Sequence, residues 1–172
     1  MNTLRNLPTS LLLAAATVLT LAGCNTKPVP SAFNLQFDLD PSLAGTSLEL
    51  DLVGANPVSD LPKWQTYSVS DYWQPGNVMR HDADKAELTF GEGKGTTQTF
   101  SSADPSWDRW LNSGATNLII LVDLPGISSD KEGNADPRRL IVPLDIHKWA
   151  SNTLVFRIQE SGIRLMTPMK VP

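Results

Sequence analysis

Few residues in this chain have the types and spacing that chemistry needs. There are two histidines, His81 and His147. A nucleophile must have a base beside it to be activated. His81 stands among Arg80, Asp82 and Asp84, and His147 falls in a predicted turn. No Gly-x-Ser-x-Gly elbow occurs near either one. Both read as exposed side chains. The segment Gly91-Glu92-Gly93-Lys94-Gly95-Thr96 looks like a phosphate loop, but its glycines lack the spacing that loop requires. It also precedes no helix that could supply free amides, so it reads as a turn. Asp130, Glu132, Asn134 and Asp136 alternate in one polar stretch, and hard cations want several such oxygens. That stretch lacks an EF-hand's glycine position and terminal Glu, and reads as a solvated loop. Paired carboxylates act on glycosides only when a fold sets them across a cleft, and nothing in the spacing does so. No catalytic residue, metal site or cofactor is expected.

The remaining candidate is the single cysteine, Cys24. It ends an apolar run, Leu11 to Leu21, which follows a short start carrying one base, Arg5. A positive start, an apolar middle and small residues at the cut make a secretory signal. The apolar stretch is too short to span a bilayer, which takes about 20 residues. Leu21-Ala22-Gly23-Cys24 resembles the lipobox of bacterial lipoproteins. In that family the thiol is lipidated, the chain is cut before the cysteine, and the new amine is acylated. The resemblance makes Leu21, Ala22 and Gly23 the recognition positions and Cys24 the lipidated N-terminus. The bland alternative is an ordinary signal peptide with an incidental thiol, yet a lone thiol is an odd leftover in an exported protein. Several acyl chains hold a protein firmly where one does not. The residue after the cysteine is Asn25 and not Asp, which by the same resemblance implies the outer membrane.

The expected organisation is a signal peptide over 1–23, a lipidated cysteine and flexible tether over 24–32, and one domain over 33–172. The formal net charge is −4, and loss of Arg5 with the signal makes the remainder one unit more negative. An acidic body argues against nucleic acid, which needs clustered Lys and Arg. It also predicts no attraction to anionic lipid heads, leaving membrane contact to Cys24 alone. With its cysteine in the anchor, the body has no disulfide and must be held by burial.

Asn25 to Ser31 contains two prolines and reads as an extended tether. Phe33, Leu35, Phe37 and Leu39 then alternate with polar residues, as do Leu48, Leu50 and Leu52. Strict period-two alternation marks strands with one buried face. These two strands pair or lie in facing sheets. Asp40 to Gly45 between them is turn material. Lys63 to Trp73 fits a short strand followed by a helical turn, or the reverse. Ala86–Phe90 and Thr96–Phe100 read as a hairpin around the glycine-rich turn. Asp104 caps a predicted helix through Leu111, with Pro105 at its first position and Gly114 at its exit. Trp107, Trp110 and Leu111 share one face of it. Strands follow at Asn117–Leu124, Arg138–Leu144, Thr153–Gln159 and Ile163–Met166. About eight strands, one short inserted helix and no βαβ rhythm predict an antiparallel β-sandwich, transthyretin- or immunoglobulin-like. The helix would cross between the sheets, its tryptophans plugging one end of the core.

Cys24, the Asp40-Pro41 turn after the first strand, the inserted helix and the final strand pair together resemble the outer-membrane lipoprotein of type VI secretion, the TssJ family. That resemblance implies a non-catalytic interaction protein, held to the bilayer through acylated Cys24 and facing the periplasm. It also implies a protein partner, the periplasmic end of an inner-membrane secretion component, gripped by a loop between early strands. By position that loop is Pro41, Ser42, Leu43, Ala44 and Gly45. Two competing readings remain. A stand-alone envelope-binding module would grip sugar or peptide through surface aromatics, motivated by five tryptophans, though tryptophan is more often core. A small hydrolase ranks last for want of a base and nucleophile.

Overall fold

A computed structural model describes residues 27–171. Eight strands occur among them: β1 (Asn34–Leu39), β2 (Leu48–Ala55), β3 (Lys85–Phe90), β4 (Thr97–Phe100), β5 (Asn117–Val122), β6 (Arg139–Pro143), β7 (Thr153–Gln159) and β8 (Gly162–Leu165). They form two four-stranded sheets, ordered β4-β1-β7-β8 and β3-β2-β5-β6. The predicted sandwich is therefore present, and β1 and β2 lie in facing sheets. Pairing is antiparallel except between β1 and β7, which run parallel with Leu35 opposite Leu154 and Phe37 opposite Phe156. The two phenylalanine rings stack with centroids 4.9 Å apart.

The alternation read from the sequence builds the interior. Leu35, Phe37, Leu154, Phe156 and Ile158 of one sheet face Leu48, Leu50, Leu52, Leu118 and Ile120 of the other, all fully buried. The helix α4 (Pro105–Asn112) crosses from β4 in one sheet to β5 in the other. Its cap is as expected: Asp104 Oδ1 accepts the Ser106 amide at 2.9 Å. Trp107 and Trp110 enter the core and meet edge-to-face at 5.3 Å. Each satisfies its indole N–H on a backbone carbonyl, Ser101 and Asp84 respectively.

Three features differ from the sequence reading. First, β3 and β4 are not a hairpin, since they belong to opposite sheets. Gly93 and Gly95 sit at φ 76° and 74°, a left-handed conformation that glycine adopts without steric cost. They let the chain arch over the sandwich end, so Phe90 and Phe100 both enter the core from different sheets.

Second, one short helix was expected, with a helical turn beside a strand in Lys63–Trp73, and four α-helices are present among the described residues. The additional three are α1 (Leu61–Thr66), α2 (Val69–Tyr72) and α3 (Val78–Asp82). At four to six residues such helices do not persist alone and show no full period; tertiary packing makes them.

Third, the β3-β2-β5-β6 sheet is covered on both faces. Ile119 and Leu121 point away from the sandwich core into a second cluster with Val53, Ala55, Trp64, Val69, Tyr72 and Met79. Burying each such aliphatic side chain contributes roughly 1.5–3 kcal/mol. This explains the unbroken apolar run of β5, the pattern of a strand with no solvent face. It also places Asp51 of β2, on that outer face, in complete burial.

Candidate functional site

The sandwich has two ends. The chain enters at one, where Ser31 N donates to Leu144 O at 2.9 Å and Ile146 N to Val29 O at 3.1 Å. It then traverses the six residues of β1, about 20 Å at strand rise, and turns at the other end through Asp40–Gly45.

The turn at this far end is built locally. Asp40 Oδ1 accepts the Ser42 amide at 3.1 Å and caps a 3-10 turn, Pro41–Leu43. Hydrogen bonds from the Ser42 amide and hydroxyl hold the Asp40 carboxyl below its usual value. Asp40 N donates to Ile158 O at 2.8 Å, fixing the turn to β7. Pro41, Ser42, Ala44 and Gly45 are exposed, while Leu43 is turned into the core. Of the five residues expected to bind a partner, four therefore stand at the surface and Leu43 holds them from beneath. Ser42, Leu43 and Thr46 line a hollow of about 430 Å³ with Pro125, Gly126, Ile127 and Glu160. The loop after β5 had no place in the sequence expectation of a partner surface. Only the sheet order brings it there.

Two buried charge networks fix the helical insert and the loop before β6. Asp51 accepts from Tyr72 Oη at 2.8 Å and Arg80 Nε at 2.9 Å. Arg80 reaches Glu49 at 2.5 Å and lies over the Trp73 ring at 4.3 Å. Burial, and then the Asp51 charge, push the Tyr72 phenol far above its ordinary value. Burial opposes the charge on Arg80, but hydrogen bonds to Asp51 and Glu49 outweigh it and raise its pKa. Asp51 Oδ1 and Trp73 Nε1 have no hydrogen-bond partner among the described residues.

The second network lies in the stretch read as a solvated loop, which is largely exposed from Asp130 to Ala135 and buried at Asp136. Arg138 donates to Asp130 at 2.6 Å and to Asp136 Oδ2 at 3.1 Å. Asp130 also accepts from Ser68 Oγ and the Ser70 amide at the start of α2. Burial works against the Asp130 charge, yet the Ser68, Ser70 and Arg138 hydrogen bonds lower its pKa to about 2. Buried Arg139 donates to the carbonyls of Gly133, Trp64, Tyr67 and Lys131. Asp130 and Asp136, two of the side chains that looked like cation ligands, instead engage Arg138 and backbone amides. Among the described residues no three His, Cys, Asp or Glu side chains converge as a metal site would require.

Neither histidine meets a nucleophile. His81 is 86% exposed in its side chain and its ring contacts only Asp82. His147 is exposed. Trp64, Trp107, Trp110 and Trp149 are buried and Trp73 is half-buried under Arg80, so no tryptophan is an exposed residue. A hollow of about 540 Å³ between the insert and α4 is lined by Val53, Trp64, Tyr67, Met79 and Trp110 with Asp60 at its rim. No helix of the described residues is long and apolar enough to cross a membrane. The Leu21–Cys24 motif lies outside the described residues.

No protein-family model and no curated protein matches the chain. Solved structures do share its fold. The C-terminal domain of the T6SS protein TssM from EAEC is similar at 7% identity and a TM-score of 0.50, covering 78% of this chain and 99% of that one. The T6SS lipoprotein TssJ1 from Pseudomonas aeruginosa gives 11% identity and a TM-score of 0.48, over 84% of this chain and 100% of its own. Lip of Serratia marcescens, a membrane-bound component of the type VI secretion system, gives 11% and 0.48, over 80% and 98%. At these identities the likeness is one of fold.

Proposed function

We propose that this protein is a lipid-anchored module of the bacterial envelope that works by holding another protein and not by catalysis. The observation that carries this reading is the opposition of the two ends. The chain leads from Cys24 into one end of the sandwich, while exposed Pro41, Ser42, Ala44 and Gly45 stand at the other. An anchor at 24 presents that turn away from the bilayer, toward the periplasm. The packed interior and the engagement of buried carboxylates by Arg80 and Arg138 support a scaffold. The finer reading is the outer-membrane lipoprotein of a type VI secretion system, with residues 1–23 removed, a tether from Cys24 and the rest as the gripping body; the tether expected over 24–32 ends earlier, since Val29 and Ser31 are hydrogen-bonded to Ile146 and Leu144. It rests on the succession of lipobox, tether and sandwich, and the fold shared with a TssM domain is compatible with it. The envelope-binding alternative is weakened, because no tryptophan is exposed, and what remains of it is the hollow lined by Trp64, Tyr67 and Trp110.

The test is a photo-crosslinker at position 42 in the native envelope. The expected adduct contains an inner-membrane component of the secretion machine. Adducts that contain only outer-membrane or soluble proteins would contradict the reading.

A further inference from the structure

Three separate segments meet where the chain enters the sandwich. Pro30 bridges Asp145 and Trp149 bridges Met169. Lys170 N donates to Lys148 O at 2.8 Å and Ala150 N to Pro168 O at 3.4 Å. The Asp145–Ala150 segment thus lies between Val29–Ser31 on one side and Pro168–Lys170 on the other. Exposed apolar side chains gather on this ribbon: Val29 is 48% exposed, Met169 59% and Val171 91%. Lys27, Lys148 and Lys170 are exposed in the same segments. The acid among them is Asp145. It is buried, with Oδ1 accepting the Val29 and His147 amides at 3.2 and 3.1 Å. These three segments therefore present an apolar and basic ribbon although the whole chain is acidic; local charge, not net charge, sets what a surface attracts.

We propose that this end of the sandwich docks on the surface of an anionic phospholipid bilayer. The inference rests on the reading of Cys24 as the lipidated residue and goes beyond it. Val29 follows Cys24 by five residue steps, which reach at most about 18 Å when fully extended. A tail in the bilayer therefore holds Val29, and the ribbon bonded to it, within that distance of the headgroups. Val29, Met169 and Val171 enter the interface. The lysines lay their methylene stems along it and set their ammonium groups on lipid phosphates. Three lysines near an anionic surface together favour it over a neutral one by roughly a hundredfold. Docking fixes the body upright and so aims Pro41–Gly45 away from the membrane, where a free tether would let it tumble.

The experiment uses the full-length lipoprotein with Met169→Cys, and in parallel Val171→Cys and Ser42→Cys. Each is reacted with a fluorescent maleimide and reconstituted into vesicles of phosphatidylethanolamine with phosphatidylglycerol. One label per chain is expected, because an acylated Cys24 has no free thiol. Two labels per chain would overturn the anchor and the docking with it. With one label, acrylamide should quench the dyes at 169 and 171 roughly threefold less than the dye at 42, as for groups sunk into the interface. Lys148→Glu with Lys170→Glu, or replacement of phosphatidylglycerol by phosphatidylcholine, should remove most of that protection. Equal quenching at all three positions, with one label per chain, would overturn the docking and leave the anchor standing.

Discussion

Arg138 and Asp130 form an ion pair at 2.6 Å between an arginine that is 4% exposed and the carboxylate that also receives the start of α2. One side chain thus couples the loop before β6 to the helical insert. Asp130→Asn should remove a charge-assisted hydrogen bond and cost about 1–2 kcal/mol at neutral pH, or roughly 3–8 °C in Tm. The sign with pH follows from the direction of the shift. The folded pKa is about 2, below the ordinary value of about 3.9. The stabilisation is therefore complete above pH ~4 and is lost as pH falls toward ~2. Thermal melts of the two proteins should differ at neutral pH and converge near the low limit.

Asp51 is wholly buried and leans on Tyr72 and Arg80. Tyr72→Phe leaves one oxygen with a single partner and should cost about 1–2 kcal/mol. Arg80→Ala leaves a buried carboxylate unpaired and should cost about 3 kcal/mol or more. Urea unfolding measures both, with a lower midpoint and an unchanged slope in each case.

Gly54 lies where a Cβ would sit 2.4 Å from Cβ and Cγ of Trp110. Gly to Ala at a compatible site stabilises by about 0.4–1 kcal/mol. Here Gly54→Ala should instead destabilise by about 1–3 kcal/mol through overpacking. Near-ultraviolet circular dichroism should report the displaced indole.

If the far-end turn holds the partner, as proposed, its substitutions should separate binding from stability. Ser42→Arg and Ala44→Glu alter exposed positions and should abolish partner capture while leaving Tm within about 2 °C, as surface changes do. Leu43→Ala opens the core beneath and should lower stability by about 2–4 kcal/mol. Pull-down paired with thermal melting distinguishes the two effects.

The strands were legible because Leu35-Phe37-Leu39 and Leu154-Phe156-Ile158 each repeat every second residue, which only a half-buried strand requires. The cap of α4 was legible because Asp104 and Pro105 act within four residues. The insert was not, since α1 to α3 are shorter than a period can show and exist only against Ile119 and Leu121. Asp51 looked solvated because alternation reveals one buried face and is silent about a helix laid on the other. A glycine-rich turn serves a hairpin and a sheet crossing alike, so Gly91–Gly95 misled. The basic entry end was hidden from any charge count, because Lys27, Lys148 and Lys170 come together only in the fold. The turn Asp40–Gly45 could be placed between β1 and β2 from sequence, but its neighbours Pro125–Ile127 could not.

The central claim is that residue 24 carries the attachment to the membrane while the sandwich does the holding. Intact-mass measurement of the protein extracted from native membranes tests it directly. The account predicts a chain beginning at Cys24 whose mass exceeds the polypeptide by a diacylglyceryl group and an amide-linked acyl chain. A chain that keeps residues 1–23, or one that carries a bare thiol at 24, would contradict it.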